Sequence, residues 1–294
     1  MKAYVTGASG FVGGHVAREL EEAGVEVRRE RADLRDTEAL RRAMDGCDAV
    51  FNVAALYSYT ALDEVFEAVN VEGTRNVIAA CRAAGVERLV HTSTAGTCGP
   101  VEGRPATEED GPPDWELTVP YKRTKLESEE LVLEAARGGL DAVVVNPTTP
   151  VGDGDLKPTP TGAMIRGVAS GKIKGYVATT GLNVVDVRDV ARGHLLAYHR
   201  GESAERYLLG GTNLSLRDLF ALVAEVAGRS RPRVRVPYAV AMVAARLGLA
   251  NVHEVRLARL PMYFSSEKAH SRLGYEAGPV GVALKRAVDE VRAG

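Results

Sequence analysis

Two residues in the chain have the types and the spacing for proton transfer. Tyr121 and Lys125 lie four apart in the segment Tyr121 to Ala136, which opens YKRTK and reads as a helix. At that spacing their side chains share one helix face. A free phenol, with a pKa of about 10, is a poor base at neutral pH. An ammonium beside it favours the phenolate and lowers that pKa. The pair could therefore pass a proton to or from a substrate oxygen, as hydride chemistry at a carbonyl requires. Upstream, Arg88 to Ser93 reads as a strand ending in consecutive hydroxyls, His91-Thr92-Ser93-Thr94. A helix with one Tyr and one Lys is common, so the meaning of the pair depends on the elements around it.

The first of those elements is Lys2 to Leu20. Ala3 to Thr6 is a short apolar run of β character, Gly7, Gly10 and Gly13 follow at three-residue spacing, and Val12, Val16 and Leu20 recur at helical spacing. A strand, a glycine turn and a helix in that order suit a dinucleotide. Gly7 makes the tight turn, Gly10 lets backbone approach a pyrophosphate, and Gly13 lets the helix pack close to the sheet. The helix start at Phe11 and Val12 then offers unpaired N–H groups and a positive dipole end to the phosphates.

Strand and helix signals alternate through the first half, the pattern of a parallel sheet covered on both faces. After a strand near Val25 to Val27, Asp33 and a helix from Thr37 to Met44 follow almost at once. A parallel crossover needs a dozen or more residues. The usual strand–helix–strand unit is therefore expected to be missing here, leaving strand two at a sheet edge. Ala49 to Ala55 reads as a buried strand whose small end, Val53-Ala54-Ala55, leaves room for a cofactor. Asp141 to Val145 is another strand, ending in Asn146-Pro147-Thr148-Thr149-Pro150. The fold class expected is α/β, a Rossmann-type doubly wound parallel sheet with a smaller, mostly helical C-terminal substrate lobe. Residues 1–151 and 184–211 are assigned to the dinucleotide-binding domain, with Val184 to Val187 and Arg206 to Leu209 returning to the main sheet. Residues 152–183 and 212–294 are assigned to the lobe, completed by Phe264 to Gly274 and Val280 to Val291.

Composition narrows the function classes. A net charge of −2 gives no electrostatic case for nucleic acid or an anionic membrane, and no apolar run approaches the length of a membrane span. Cys47, Cys81 and Cys98 are odd in number and far apart. They fit no metal spacing, so no metal is expected and they read as reduced thiols of a cytoplasmic protein. The expected partner is a small-molecule substrate, and the expected assembly is a homodimer.

The motifs TGASGFVG, NVAA, NVEGTRN, TSTAG, YKRTK and NPTTPVG occur in an order that resembles the extended short-chain dehydrogenase/reductase superfamily. Within it the chain looks most like dihydroflavonol-4-reductase-like and hopanoid-associated sugar epimerase-like proteins. The resemblance implies that Tyr121 is the proton donor or acceptor and that Lys125 holds the nicotinamide ribose and tunes Tyr121. It places Thr94 where relatives carry serine, with Ser93 as the rival hydroxyl and Thr92 beside the cofactor. It matches Asn70 to a helix asparagine of the catalytic set, Pro147, Thr148 and Thr149 to the segment flanking the nicotinamide, and Asp33 and Leu34 to the adenine edge.

Two enzyme classes use this apparatus. One is an NAD(P)-dependent carbonyl reductase or alcohol dehydrogenase. The other is a nucleotide-sugar epimerase or dehydratase that holds NAD tightly. A non-catalytic dinucleotide sensor is the third reading, and it has no need of the Tyr/Lys pair. The lobe shows no arginine pattern assignable to a sugar diphosphate: Arg166, Arg231, Arg233 and Arg235 read as solvated charge, which favours net redox. At strand two, Arg28, Arg29 and Arg31 surround Glu30. Guanidinium suits a 2′-phosphate, so Arg29 and Arg31 favour NADP over NAD.

Overall fold

The computed structural model describes residues 1–57 and 61–293. Its strands, in chain order, are β1 (Lys2–Thr6), β2 (Glu26–Arg28), β3 (Ala49–Asn52), β4 (Arg88–Thr92), β5 (Ala142–Pro147), β6 (Thr149–Val151), β7 (Gly175–Val177), β8 (Gly181–Asp186), β9 (Arg206–Leu209), β10 (Thr212–Ser215) and β11 (Val234–Val236). The main sheet has six parallel strands in the order β2-β1-β3-β4-β5-β9. The chain steps to opposite sides of β1 to make β2 and β3, so a crevice opens at the carboxyl ends of β1 and β3, where sheets of this kind bind ligands.

Alternation along each strand builds two cores. On one face Ala3, Val5, Phe51, Val143 and Val145 pack against Val16, Leu20, Val190 and Ala197 of helices Phe11–Glu22 and Val187–Arg200. On the other face Tyr4, Val50, Ala142 and Val144 meet helices Thr37–Met44, Gly73–Ala84 and Pro120–Arg137 through Leu40, Met44, Val77 and Val132. A strand buried on both faces must be apolar throughout, which is why β5 reads AVVV.

β2 is three residues long and lies at the sheet edge, and no helix intervenes before Thr37. Asp36 caps that helix, its Oδ1 accepting from the Ala39 N–H at 2.9 Å. The abbreviated crossover expected from the sequence is therefore present.

Two expectations are corrected. Val184 to Val187 does not return to the main sheet. β8 pairs in parallel with β6 and antiparallel with β10 in a separate three-stranded sheet, because β9 already occupies the open side of β5. Nor does the segment after Phe264 belong wholly to the lobe. Ala269, Leu273 and Tyr275 join the main core, and the Tyr275 hydroxyl donates to Gly210 O at 3.1 Å. The lobe core is instead built by Val151, Ile165, Leu219, Val223, Leu284 and Val288.

Gly7 and Gly13 earn their places by geometry. Gly7 has φ +68°, and a Cβ at Gly13 would stand 2.2 Å from Gly7 O. Gly13→Ala should therefore force the helix off the turn and cost roughly 1–3 kcal/mol, the usual scale of overpacking. Urea unfolding of the variant measures this, and an unchanged midpoint would contradict the packing described.

Candidate active site

Helix Pro120–Arg137 begins with proline at its first turn, where the missing N–H costs nothing. Lys125 is 2% exposed, and its Nζ donates to Thr92 O at the end of β4, 2.8 Å away. This bond fixes the helix against the strand end. Burial lowers the Lys125 pKa to about 8, opposed by the charge of Glu129 one turn further on.

Tyr121 sits one turn before Lys125 at the wall of a cavity of about 740 Å³. It shares a side-chain hydrogen bond with Thr94, and its ring tilts against Tyr57 with centroids 4.6 Å apart. The expected lowering of its pKa by Lys125 does not occur here. Burial raises the phenol pKa well above its ordinary value, with Tyr57 adding to the rise and the Thr94 bond only partly opposing it. The Lys125 ammonium is turned to the Thr92 carbonyl rather than to the phenol. Tyr121 is therefore a firmly protonated acid.

The three consecutive hydroxyls separate by their partners. His194 places Nδ1 2.8 Å from Val190 O, and a carbonyl can only accept, so Nδ1 carries the proton. Burial lowers the His194 pKa to about 4 and keeps the ring neutral. Its Nε2 therefore accepts from the Thr92 hydroxyl at 2.8 Å, which commits Thr92 to the scaffold. Ser93 Oγ is buried without a hydrogen-bond partner. Thr94 is the hydroxyl that reaches Tyr121, and Ser93 and Thr94 both line the cavity.

The cofactor candidates gather around the crevice. The helix at Phe11 starts on Gly10 without a side-chain cap, leaving its first N–H groups for a ligand. Thr6 Oγ1 accepts from Val53 N and Ala54 N, each at 2.9 Å, and draws the end of β3 beside the turn. A Cβ at Gly7 would lie 3.0 Å from Ala54 Cα, so the two loops touch. Phe11, Val12, Val53, Ala55, Pro147, Thr148 and Thr149 share the cavity wall with Tyr121 and Lys125. An uncapped helix start, a backbone cradle and a buried ammonium around one crevice fit a nicotinamide dinucleotide. Further out, Arg29 makes a bidentate pair with Glu21 at 2.9 and 2.6 Å. Asp33 chelates Arg35, which holds its carboxyl down to about 2, and Leu34 is buried against Gly73.

Asn70 does not line the cavity. Its Oδ1 accepts from Leu56 N at 2.8 Å, and its Nδ2 donates to Leu56 O at 3.2 Å and Thr124 Oγ1 at 3.1 Å. It ties the loop after β3 to the Tyr121 helix, and it sits in a π-helical turn, Glu67–Glu72, that no sequence signal announced. Sequence reasoning also missed Glu129. This carboxylate, 1% exposed, accepts from Thr97 Oγ1, Asn146 Nδ2 and Arg206 Nη1, each at 2.7 Å. Its position four residues after Lys125 was the available clue. The third omission is Lys122, a cavity residue paired at 3.0 Å with the fully buried Glu116.

Because the folded pKa of Lys125 lies below the unfolded value, its ammonium costs stability below pH of about 8, and that cost is relieved as pH rises towards about 10.4. Cofactor holding by the ammonium would run the other way. NADPH affinity of the free enzyme should weaken between about pH 7 and about pH 9 as Lys125 loses its proton. Fluorescence titration at the two values measures it, and equal affinity would exclude a charged Lys125 from cofactor binding.

The sequence profile of the NAD dependent epimerase/dehydratase family matches residues 3–210. The chain is 38% identical to a dihydroflavonol 4-reductase-like protein of Synechocystis sp., over 97% of this chain and 93% of that one. It is 32% identical to the 4-hydroxy-2-methyl-3-oxo-4-farnesyl-3,4-dihydroquinoline-1-oxide ketoreductase of Stigmatella aurantiaca, over 94% and 92% of the two chains. Among solved structures, a nucleoside-diphosphate-sugar epimerase from Pseudomonas aeruginosa matches with a TM-score of 0.84 and 30% identity, covering 100% of this chain and 98% of that one. The matched residues carry the glycine cradle, the paired strand ends and the helix of Tyr121 and Lys125, and this chain is an enzyme of the NAD dependent epimerase/dehydratase family.

Proposed function

We propose that the enzyme reduces the carbonyl of an apolar substrate, with NADPH as the hydride donor. One observation carries the choice of substrate: no arginine lines the large cavity among the described residues. The cations that line it among the described residues are Lys125, which donates to Thr92 O beside the cofactor crevice, and Lys122, paired with Glu116. The wall away from Tyr121 is made by Met164, Ile173, Leu182, Phe220, Val255 and Phe264. A sugar diphosphate buried there would lack the charge-assisted donors that phosphate recognition needs. Arg166 donates to Asp155 O instead, and Arg231, Arg233 and Arg235 are exposed.

A nicotinamide held in the crevice would supply the hydride for the carbonyl carbon. Tyr121 gives its proton to the carbonyl oxygen, Thr94 orients that oxygen, and the product is a secondary alcohol. The ketoreductase and dihydroflavonol 4-reductase-like relatives carry names of the same reaction type. For the cofactor, Arg31 is exposed at the end of the β2 segment and Arg29 can exchange Glu21 for phosphate.

Tyr121→Phe keeps the ring and removes the acid, so carbonyl reduction should fall at least ~100-fold, with NADPH affinity little changed. Steady-state assays on apolar ketones with stoichiometric NADPH consumption test this. Near wild-type turnover in the variant would remove Tyr121 from the chemistry, and a tightly held NAD that epimerises sugar nucleotides without net consumption would overturn the reductase reading. In the same titrations, Arg29→Ala/Arg31→Ala should lose NADPH affinity and keep NADH affinity. Tighter NADH binding by wild type would reverse the cofactor assignment.

A further inference from the structure

The net charge of −2 averages over a strongly uneven molecule. Residues 228–260 contain seven arginines and a single acidic residue, Glu254. Arg229, Arg231, Arg233, Arg235 and Arg246 are exposed, and no carboxylate pairs with them among the described residues. β11 lies parallel to β7 with Arg235 opposite Tyr176, and Arg233 N–H donates to Lys174 O at 3.1 Å, so exposed Lys174 adds its charge at the start of the ribbon and exposed Lys172 lies two residues before it.

The same segment exposes apolar side chains. Val240, Val243 and Leu247 recur on one face of helix Tyr238–Arg246 and its C-cap, 57%, 57% and 71% exposed, with Leu249 at 78% just beyond and Val234 of β11 at 57%. The opposite face of that helix buries Ala241 and Ala245 against Val255 and Val177. Val255 and Val177 in turn line the large cavity. The wall is thus one helix thick, with the apolar cavity inside and an apolar, arginine-flanked face outside.

We propose that the β7–β11 ribbon and helix Tyr238–Arg246 dock the enzyme on an anionic membrane surface beside the cavity. Arginines at the headgroups and Val/Leu side chains at the acyl boundary are what an interfacial helix presents to such a surface. Charge selects this occupant. A second copy would set two arginine faces against each other, and a nucleic acid would gain nothing from exposed Val240, Val243, Leu247 and Leu249. No helix among the described residues can span a membrane, so the contact is peripheral. The position of the face suits delivery of an apolar substrate, a consequence that rests on the reductase reading, whereas the docking itself does not.

The test is flotation of the full chain with vesicles of phosphatidylcholine alone and of phosphatidylcholine enriched in phosphatidylglycerol. Wild type should float with the anionic vesicles and be released by salt. At roughly fivefold per arginine near the surface, Arg231→Glu/Arg233→Glu/Arg235→Glu should weaken binding at least ~100-fold. Leu247→Ser/Leu249→Ser should weaken it about tenfold or more. All of these positions are exposed, and an unchanged thermal midpoint and NADPH titration verify the fold. Absence of wild-type binding, equal binding to both vesicle types, or variants that bind like wild type would overturn the proposal. So would a Leu247→Ser/Leu249→Ser variant that converts a dimer to a monomer in light scattering, since the face would then belong to a second copy. The catalytically disabled Tyr121→Phe chain should float like wild type, which keeps a failure of docking separate from a failure of the reductase reading.

Discussion

The buried ammonium of Lys125 is the constraint on which the site depends. Removing such a charge from water costs several kcal/mol even after relaxation. That cost is offset only where its donors meet fixed acceptors, and here the Thr92 carbonyl at the end of β4 meets it at 2.8 Å. One contact thereby sets the rotation of helix Pro120–Arg137, the depth at which it lies on the sheet, and the place of Tyr121 one turn earlier. Glu129 secures the same helix from one turn later. It collects donors from the Thr97 turn, from β5 through Asn146 and from β9 through Arg206. Tyr121, Lys125 and Glu129 are thus spaced at four-residue intervals on one helix, with Lys125 held by β4 and Glu129 by β5 and β9.

The scaffold beneath the site is polar and hydrogen-bonded from strand to strand. Thr6, Asn52 and His91 form a hydrogen-bonded row across β1, β3 and β4, and Thr92 and His194 join β4 to the helix behind it. Burial lowers the pKa values of both histidines, so they act as neutral, oriented spacers. A row of this kind specifies strand alignment at the carboxyl ends, where the Gly7 turn and the Val53–Ala55 segment must touch to form the cradle.

Much of this could be read from residue order, because it rests on local pattern. The glycine spacing after β1, the two-faced apolar strands and the edge position of β2 all follow from periodicity and chain length. The pair Tyr121 and Lys125 follows from helical spacing. What could not be read depends on contacts distant in sequence. Nothing local says that β9 would take the edge beside β5 and exclude β8, or that Ala269, Leu273 and Tyr275 would cross back to the main core. The rise in the Tyr121 pKa is a property of its surroundings, and spacing alone suggested the opposite sign. Asn70 illustrates a third case. Its presence was legible, but its place in a π-helical turn, bracing Leu56 and Thr124, depends on a backbone irregularity with no sequence mark. The charge asymmetry of residues 228–260 was visible all along, and the net charge concealed it.

On the proposed reading Tyr121 and Lys125 work as one unit, with the cation holding the acid in place. A double-mutant cycle on carbonyl reduction with Tyr121→Phe, Lys125→Met and the double variant tests it most directly. Groups that act only together show strongly non-additive losses. The double variant should be about as slow as the slower single variant. Losses that multiply, each mutation costing its full factor in the presence of the other, would contradict it.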